Sequence, residues 1–205
     1  VDDALDLRYP FDGRWQVRNS PADRVPSHGT GVLASAYAID FVPVDAAGRS
    51  GWVTVATLFL AEPPERFVGF GRPVLAPLAG VVLATRDAVP DHAARRGLLS
   101  LADALGQRRR LAGGWQALAG NHVLLGHDGV VVALCHLQRG SVSVRPGQVV
   151  AAGDVVGRCG CSGNSTEPHL HLQALDDPDP ARARAVPVTF GGRLPRGGEV
   201  VEPAP

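Results

Sequence analysis

The sequence predicts a mainly β protein: a single domain built on an antiparallel β-sheet with one short helical insertion. Three observations carry that prediction. Runs of β-branched, aromatic and other apolar residues recur along the middle of the chain. Between them, 25 Gly and 17 Pro mark many short elements joined by turns. Helical spacing of apolar residues occurs in one stretch only.

The elements follow in order. Residues 36–44 (AYAIDFVPV) alternate in part, and residues 52–61 (WVTVATLFLA) are β-branched and aromatic. Residues 74–86 break at Pro77 and Gly80, which gives a strand, a turn and a second strand. In residues 121–137 the runs HVLLGH and VVVALCHL flank Asp128-Gly129, a favoured tight-turn dipeptide, so a hairpin is expected. Residues 141–165 form short strands punctuated by Pro146-Gly147, Gly153 and Gly157, and HLHLQAL (169–175) closes the series. The helix candidate is 93–106, where Leu98, Leu101, Ala102 and Leu105 follow i, i+3, i+4, i+7 spacing. The last thirty residues are rich in Pro and Gly with one expected strand at AVPVTF (185–190), and read as a wrapping tail.

At 205 residues the chain is long enough for one sizeable core. Its formal net charge is zero, so the global charge points to no nucleic-acid or anionic-membrane partner. All the basic residues are Arg, which fits a compositional bias towards GC-rich codons better than a special use of guanidinium groups. No apolar run of about 18 residues is present, which excludes a transmembrane helix of the usual kind. The first residues, VDDALDLRYPFDGRW, lack the basic-then-apolar layout of a signal peptide. Cys135, Cys159 and Cys161 are odd in number, and Cys159-Gly-Cys161 is a poor match to zinc-ligand spacing. Buried thiols, or one disulfide from Cys135 to either of the others, are the expectations.

Chemistry concentrates on His, Asp and Cys. The chain has no G-x-S-x-G, no H-E-x-x-H, no P-loop and no dinucleotide fingerprint. In His169-Leu-His171 a strand period of two puts both imidazoles on one face, an arrangement suited to a metal or a proton-transfer site. His136 ends an apolar strand just before a turn, where sites often form. His28 lies in a loop ahead of the strand that carries Asp40. His92 reads as plain surface, and His122 and His127 as exposed or hydrogen-bonded groups.

Residues 136–173 resemble the C-terminal half of the M23 zinc metallopeptidases of the lysostaphin type. That family has a His-Leu after a strand, a glycine-punctuated V-x-x-G-x-x-V run, and S-G-x-(S/T)-x-G-x-H-L-H-F. The matching pieces are His136-Leu137, Val144 to Gly157, Ser162 to Thr166, and His169-Leu170-His171. Residues 71–82 (GRPVLAPLAGVV) and 27–42 (SHGTGVLASAYAIDFV) resemble the family's strand pair and its His-to-Asp segment. The similarity spans about 27–173, interrupted by the insertion at about 87–119, with the tail at about 174–205. Departures are present. The family spaces its first His and Asp by three residues, whereas eleven separate His28 from Asp40, and Asp45 is the fallback carboxylate. Cys135, Leu172 and Glu167 replace the usual Ala, Phe and Gly.

The resemblance implies a duplicated hybrid motif-like sheet. It implies His28, Asp40 and His171 as ligands of a catalytic Zn2+, with His136 and His169 beside the ion as proton-handling residues. It also implies a peptidoglycan peptide as substrate, and a cell-envelope or secreted location. Two imidazoles, a carboxylate and an open position are a suitable set for catalytic zinc. The insertion could form one wall of a substrate groove. Three rival readings are a non-catalytic regulator of the same fold, a histidine phosphocarrier of similar β fold, and a purely structural zinc site.

Overall fold

The structure is a computed structural model that describes residues 4–52, 57, 60–95 and 113–204. The chain opens with β1 (Leu5–Leu7), β2 (Trp15–Arg18) and β3 (Ile39–Pro43). Pro77 and Gly80 separate β4 (Pro73–Leu75) from β5 (Gly80–Arg86), as the breakers in the sequence predict. A short helix, α1 (Gly114–Ala119), precedes the hairpin of β6 (Asn121–His127) and β7 (Val130–Leu137). The hairpin turns at Asp128 and Gly129 with φ of 45° and 81°, the two positive values a tight I′ turn requires. Then come β8 (Val149–Val150), β9 (Val155–Arg158) and β10 (Leu170–Leu175). The tail supplies three strands, β11 (Ala185–Val186), β12 (Val188–Phe190) and β13 (Val200–Val201), where one was expected. Pro187, which has no N–H for a ladder, falls between the first two. The expected strand at 52–61 and helix at 93–106 lie largely outside the described residues.

Among the described residues, nine strands form the main sheet in the order β13-β2-β3-β10-β7-β6-β5-β8, with β11 also on β10. All its pairings are antiparallel. Two small sheets, β4 with β9 and β1 with β12, are separate from it. Alternation along the strands sorts the two faces. Ile39, Phe41, Leu134, Leu170 and Leu172 point into the larger core, which they share with Val74 and Val156 of one small sheet and Leu7 and Phe190 of the other. Phe11 stacks on Trp15 at 4.2 Å there, and Tyr9 on Phe190 at 4.7 Å.

The opposite face carries a smaller apolar cluster in which Ala34, Ala119, Ala133 and Cys135 meet. On that face one register row crosses six strands: Arg18, Asp40, His171, Cys135, His122, Arg86. A hydrophobic face on one side and this polar row on the other follow from the same period of two. Two residues of the row, Asp40 and His171, carry the chemistry of the site.

Candidate metal centre

Asp40 and His171 are cross-strand partners on β3 and β10, so the sheet ladder itself sets their separation. His171 Nδ1 lies 2.9 Å from Asp40 Oδ1. The loop before β3 brings His28 over the same carboxylate, with Nε2 3.0 Å from Oδ2. His28, Asp40 and His171 each offer a ligand atom, and these atoms all lie within 4.8 Å of one another. Eleven intervening residues therefore do not separate the two ends. Asp45, the fallback carboxylate, turns away and bonds the Ala47 and Arg49 amides and the Arg49 guanidinium.

Asp40 is 6% exposed and faces three imidazoles, since His169 Nε2 lies 3.8 Å from Oδ1. Burial alone would raise its pKa, but His28 and His169 and the bond from His171 hold it well below the usual carboxylate range. Asn19, at the end of β2 with φ 46°, adds a 2.7 Å hydrogen bond to Oδ2. Burial pulls His171 down, and Asp40 and Gln173 outweigh it, so its pKa is raised. Two imidazole nitrogens and one ionised, shielded carboxylate oxygen form a donor set that fits zinc.

His136 reaches this face by a local irregularity. The β6–β7 register shifts between Asn121 and His122, which leaves His136 as an extra residue with φ 63°. Cys135 packs in the smaller cluster and Leu137 in the larger one, so the bulge turns His136 out of simple alternation. Its ring lies 4.7 Å from that of His169 and 5.8 Å from that of His171. His136 Nδ1 donates to the Ser162 carbonyl at 2.9 Å, and His169 Nδ1 donates to the Glu167 carbonyl at 2.8 Å. Carbonyls only accept, so both rings carry their proton on Nδ1 and leave Nε2 for other work. Burial, and then the neighbouring His169 and His171, push the His136 pKa well below the usual value. The neutral ring therefore has an Nε2 lone pair.

The Ser162–Thr166 turn that leads to β10 is pressed against α1. A Cβ on Gly163 (φ 70°) would stand 2.4 Å from the Leu118 carbonyl oxygen, and only glycine fits there. Ser165 lies 3.0 Å from His169 Nδ1. Cys135, Cys159 and Cys161 are buried, with no disulfide among them. Burial and the Asp40 charge raise the Cys135 pKa, which keeps the thiol protonated.

The other histidines stand apart from this cluster. His122 is buried, bonds the Gly120 carbonyl through Nδ1 and lies against Trp115. His127 sits beside Asp128 in the hairpin turn. His92 is not plain surface: it is half-buried, with its nitrogens 3.1 Å from the Ala93 and Gly163 carbonyls. Sequence reasoning missed Asn19, Gln173 and Ser27, whose Oγ lies 3.0 Å from His28 Nδ1. Gln173 had a signal, since it follows His171 at the strand period; Asn19 had none.

Similar solved structures include the catalytic domain of lysostaphin from Staphylococcus simulans, at 18% identity over 76% of this chain and 80% of that one, with a TM-score of 0.42. A catalytic-domain variant of the prophage-encoded M23 protein EnpA from Enterococcus faecalis is 21% identical over 58% of this chain and 69% of that one, with a TM-score of 0.39. The M23 metalloprotease pseudoalterin, from the deep sea, is 13% identical over 97% of this chain and 86% of that one, with a TM-score of 0.47. Peptidase family M23 matches residues 67–182, which include His136, His169 and His171 and begin beyond His28 and Asp40. Since that match spans more than half of the chain, the protein belongs to peptidase family M23.

Proposed function

We propose that the protein is a zinc-dependent endopeptidase that hydrolyses peptide bonds of bacterial peptidoglycan, in the cell envelope or outside the cell, and that residues 1–205 act as one domain. The observation that carries this reading is the division of labour at the site. Three donors converge on one point, and two further imidazoles stand beside them with Nδ1 anchored on backbone carbonyls. His28, Asp40 and His171 would hold the metal, which supplies Lewis acidity toward a scissile carbonyl and a water.

The remaining chemistry falls to His136 and His169. Neutral His136 accepts the proton of the attacking water at Nε2, while its Nδ1–H stays anchored on Ser162. His169 donates toward the developing negative oxygen when Nε2 as well as Nδ1 carries a proton, a charge the Asp40 carboxylate 3.8 Å away stabilises, and His136 passes the proton it took from water to the departing amine. The peptide lies extended across the polar face of the sheet, in the manner of β-type recognition. A phosphocarrier would present an accessible imidazole, whereas His136 and His169 are 6% and 9% exposed. A non-catalytic regulator or a closed structural site would leave the two additional imidazoles without a task.

Metal analysis of the purified chain tests the reading, with Asp40→Ala and His171→Ala in parallel. The expected result is about one zinc per wild-type chain, its loss in both variants, and peptidoglycan digestion by the wild type alone. His136→Ala should keep its zinc and lose digestion. No zinc in the wild type after zinc is added back would overturn the proposal.

A further inference from the structure

Gln173 lies two residues beyond His171 on β10, on the same face, and is 2% exposed. The orientation of its amide follows from its neighbours. Nε2 lies 3.1 Å from the Leu33 carbonyl oxygen, which can only accept, so the amide nitrogen belongs there. That leaves Oε1 facing His171 Nε2 at 3.0 Å. Oε1 also only accepts, so His171 must carry a proton on Nε2. The ring nitrogen that remains for a ligand role is Nδ1, turned toward Asp40.

We infer that Gln173 is a positioning residue for the metal centre: it fixes the His171 ring so that Nδ1 is the ligating atom, and is itself held by the loop that lengthens the His28–Asp40 spacing. This inference rests on the zinc reading above. The loop is built for the task. Leu33 and Ala34 take φ of 57° and 58°, an uncommon pair of left-handed residues outside glycine. Ala34 is buried against the sheet face that carries Cys135.

The same loop steadies the other imidazole. Ser27 Oγ lies 3.0 Å from His28 Nδ1 and 3.4 Å from the Ser35 carbonyl. The Ser27 amide bonds the Ala36 carbonyl at 3.0 Å. Carbonyls from one loop thus set the hydrogen-bond polarity around both His28 and His171. Outer partners of this kind orient a metal-bound imidazole and raise its basicity.

Zinc titration of the metal-stripped full chain tests this with Gln173→Met and Gln173→Glu beside the wild type. Met fills the space without an acceptor, and zinc binding should weaken by about 10- to 100-fold. Glu keeps an acceptor for His171 Nε2 but cannot donate to Leu33, and should hold affinity within about threefold of wild type. A merely structural tether predicts the reverse order, because a carboxylate would face the Leu33 carbonyl. Equal affinity in wild type and Gln173→Met, or a Glu variant no better than Met, overturns the role of Gln173 while leaving the zinc reading intact. Should the Met variant fail to fold, the Glu variant decides alone, and a loss of tenfold or more refutes the inference. Absence of zinc binding in the wild type removes the zinc reading and Gln173 with it.

Discussion

His136 and His171 share one face of one sheet, yet their surroundings drive their protonation in opposite directions. Burial, then the charges of His169 and His171, lower the His136 pKa well below the ordinary 6.5, and burial lowers that of His122. In the unfolded chain these rings take protons near pH 6.5, whereas in the fold they stay neutral until lower pH. Over that interval the unfolded state binds more protons, so stability falls as pH falls. Asp40, with its depressed pKa, adds stability that is lost only when pH drops through its folded value. His171 has the other sign. Its raised pKa contributes stability that is full below 6.5 and is lost as pH rises through the folded value. The metal-free protein should therefore be most stable near pH 6.5 and weaken on both sides. Each titrating group contributes at most about 1.4 kcal/mol per pH unit. Urea midpoints between pH 4.5 and 8.5 would show this, and His136→Asn should flatten part of the acid limb while leaving the share of His122. An acid limb unchanged in that variant would contradict the burial argument for His136.

The elements that position these residues differ in how plainly the sequence announces them. His169-Leu-His171 and the Asp128-Gly129 hairpin depend on period and turn chemistry, which are local, and both are legible. The bulge that turns His136 toward the site has no such signature, because a left-handed histidine depends on what surrounds it. Asn121 supplies much of that surrounding. It is fully buried, accepts the Val89 amide at 2.8 Å and donates to the Val89 and Leu137 carbonyls at 2.8 and 3.0 Å. Ser162 Oγ bonds both the Asn121 amide and the Leu137 carbonyl, so the bulge is pinned from two sides. Asn121→Ala would strand a buried N–H and weaken two carbonyl contacts, at a cost of about 3 kcal/mol. Chemical unfolding would register that loss. Zinc content should stay near wild type because no ligand residue moves with the bulge, and peptidoglycan digestion should drop with the displaced His136. Zinc lost together with digestion would argue against a separate role for His136.

At the scale of the molecule, the site depends on strands that the sequence left unmarked. Residues 15–18 and 200–201 are too short to show a pattern, and they pair across nearly the whole length of the chain, Trp15 with Val201 and Gln16 with Val200. Only the folded sheet reveals that the tail backs β2, which backs β3 and Asp40. The contacts are specific. The Val17 amide bonds the Glu199 carbonyl at 2.8 Å, the Gly198 amide bonds the Val17 carbonyl at 2.8 Å, and Ser20 Oγ donates to the Pro195 carbonyl at 2.5 Å. Between Val17 and Ser20 stands Asn19, whose amide holds Asp40 Oδ2. Removing residues 195–205 would turn β2 into an edge strand and strip these bonds, along with the burial of Val201. At about 1 kcal/mol for each lost bond and a similar amount for the valine, the truncated chain should be destabilised by roughly 4 kcal/mol. It should also bind zinc several-fold more weakly, since Asn19 loses its support while His28 and His171 keep theirs. Restoring the tail as a separate peptide at high concentration should recover both properties, because pairing with β2 requires contact and not covalent continuity. An unchanged unfolding midpoint with unchanged zinc affinity would mean that β3 and β10 hold the carboxylate without help from the chain ends.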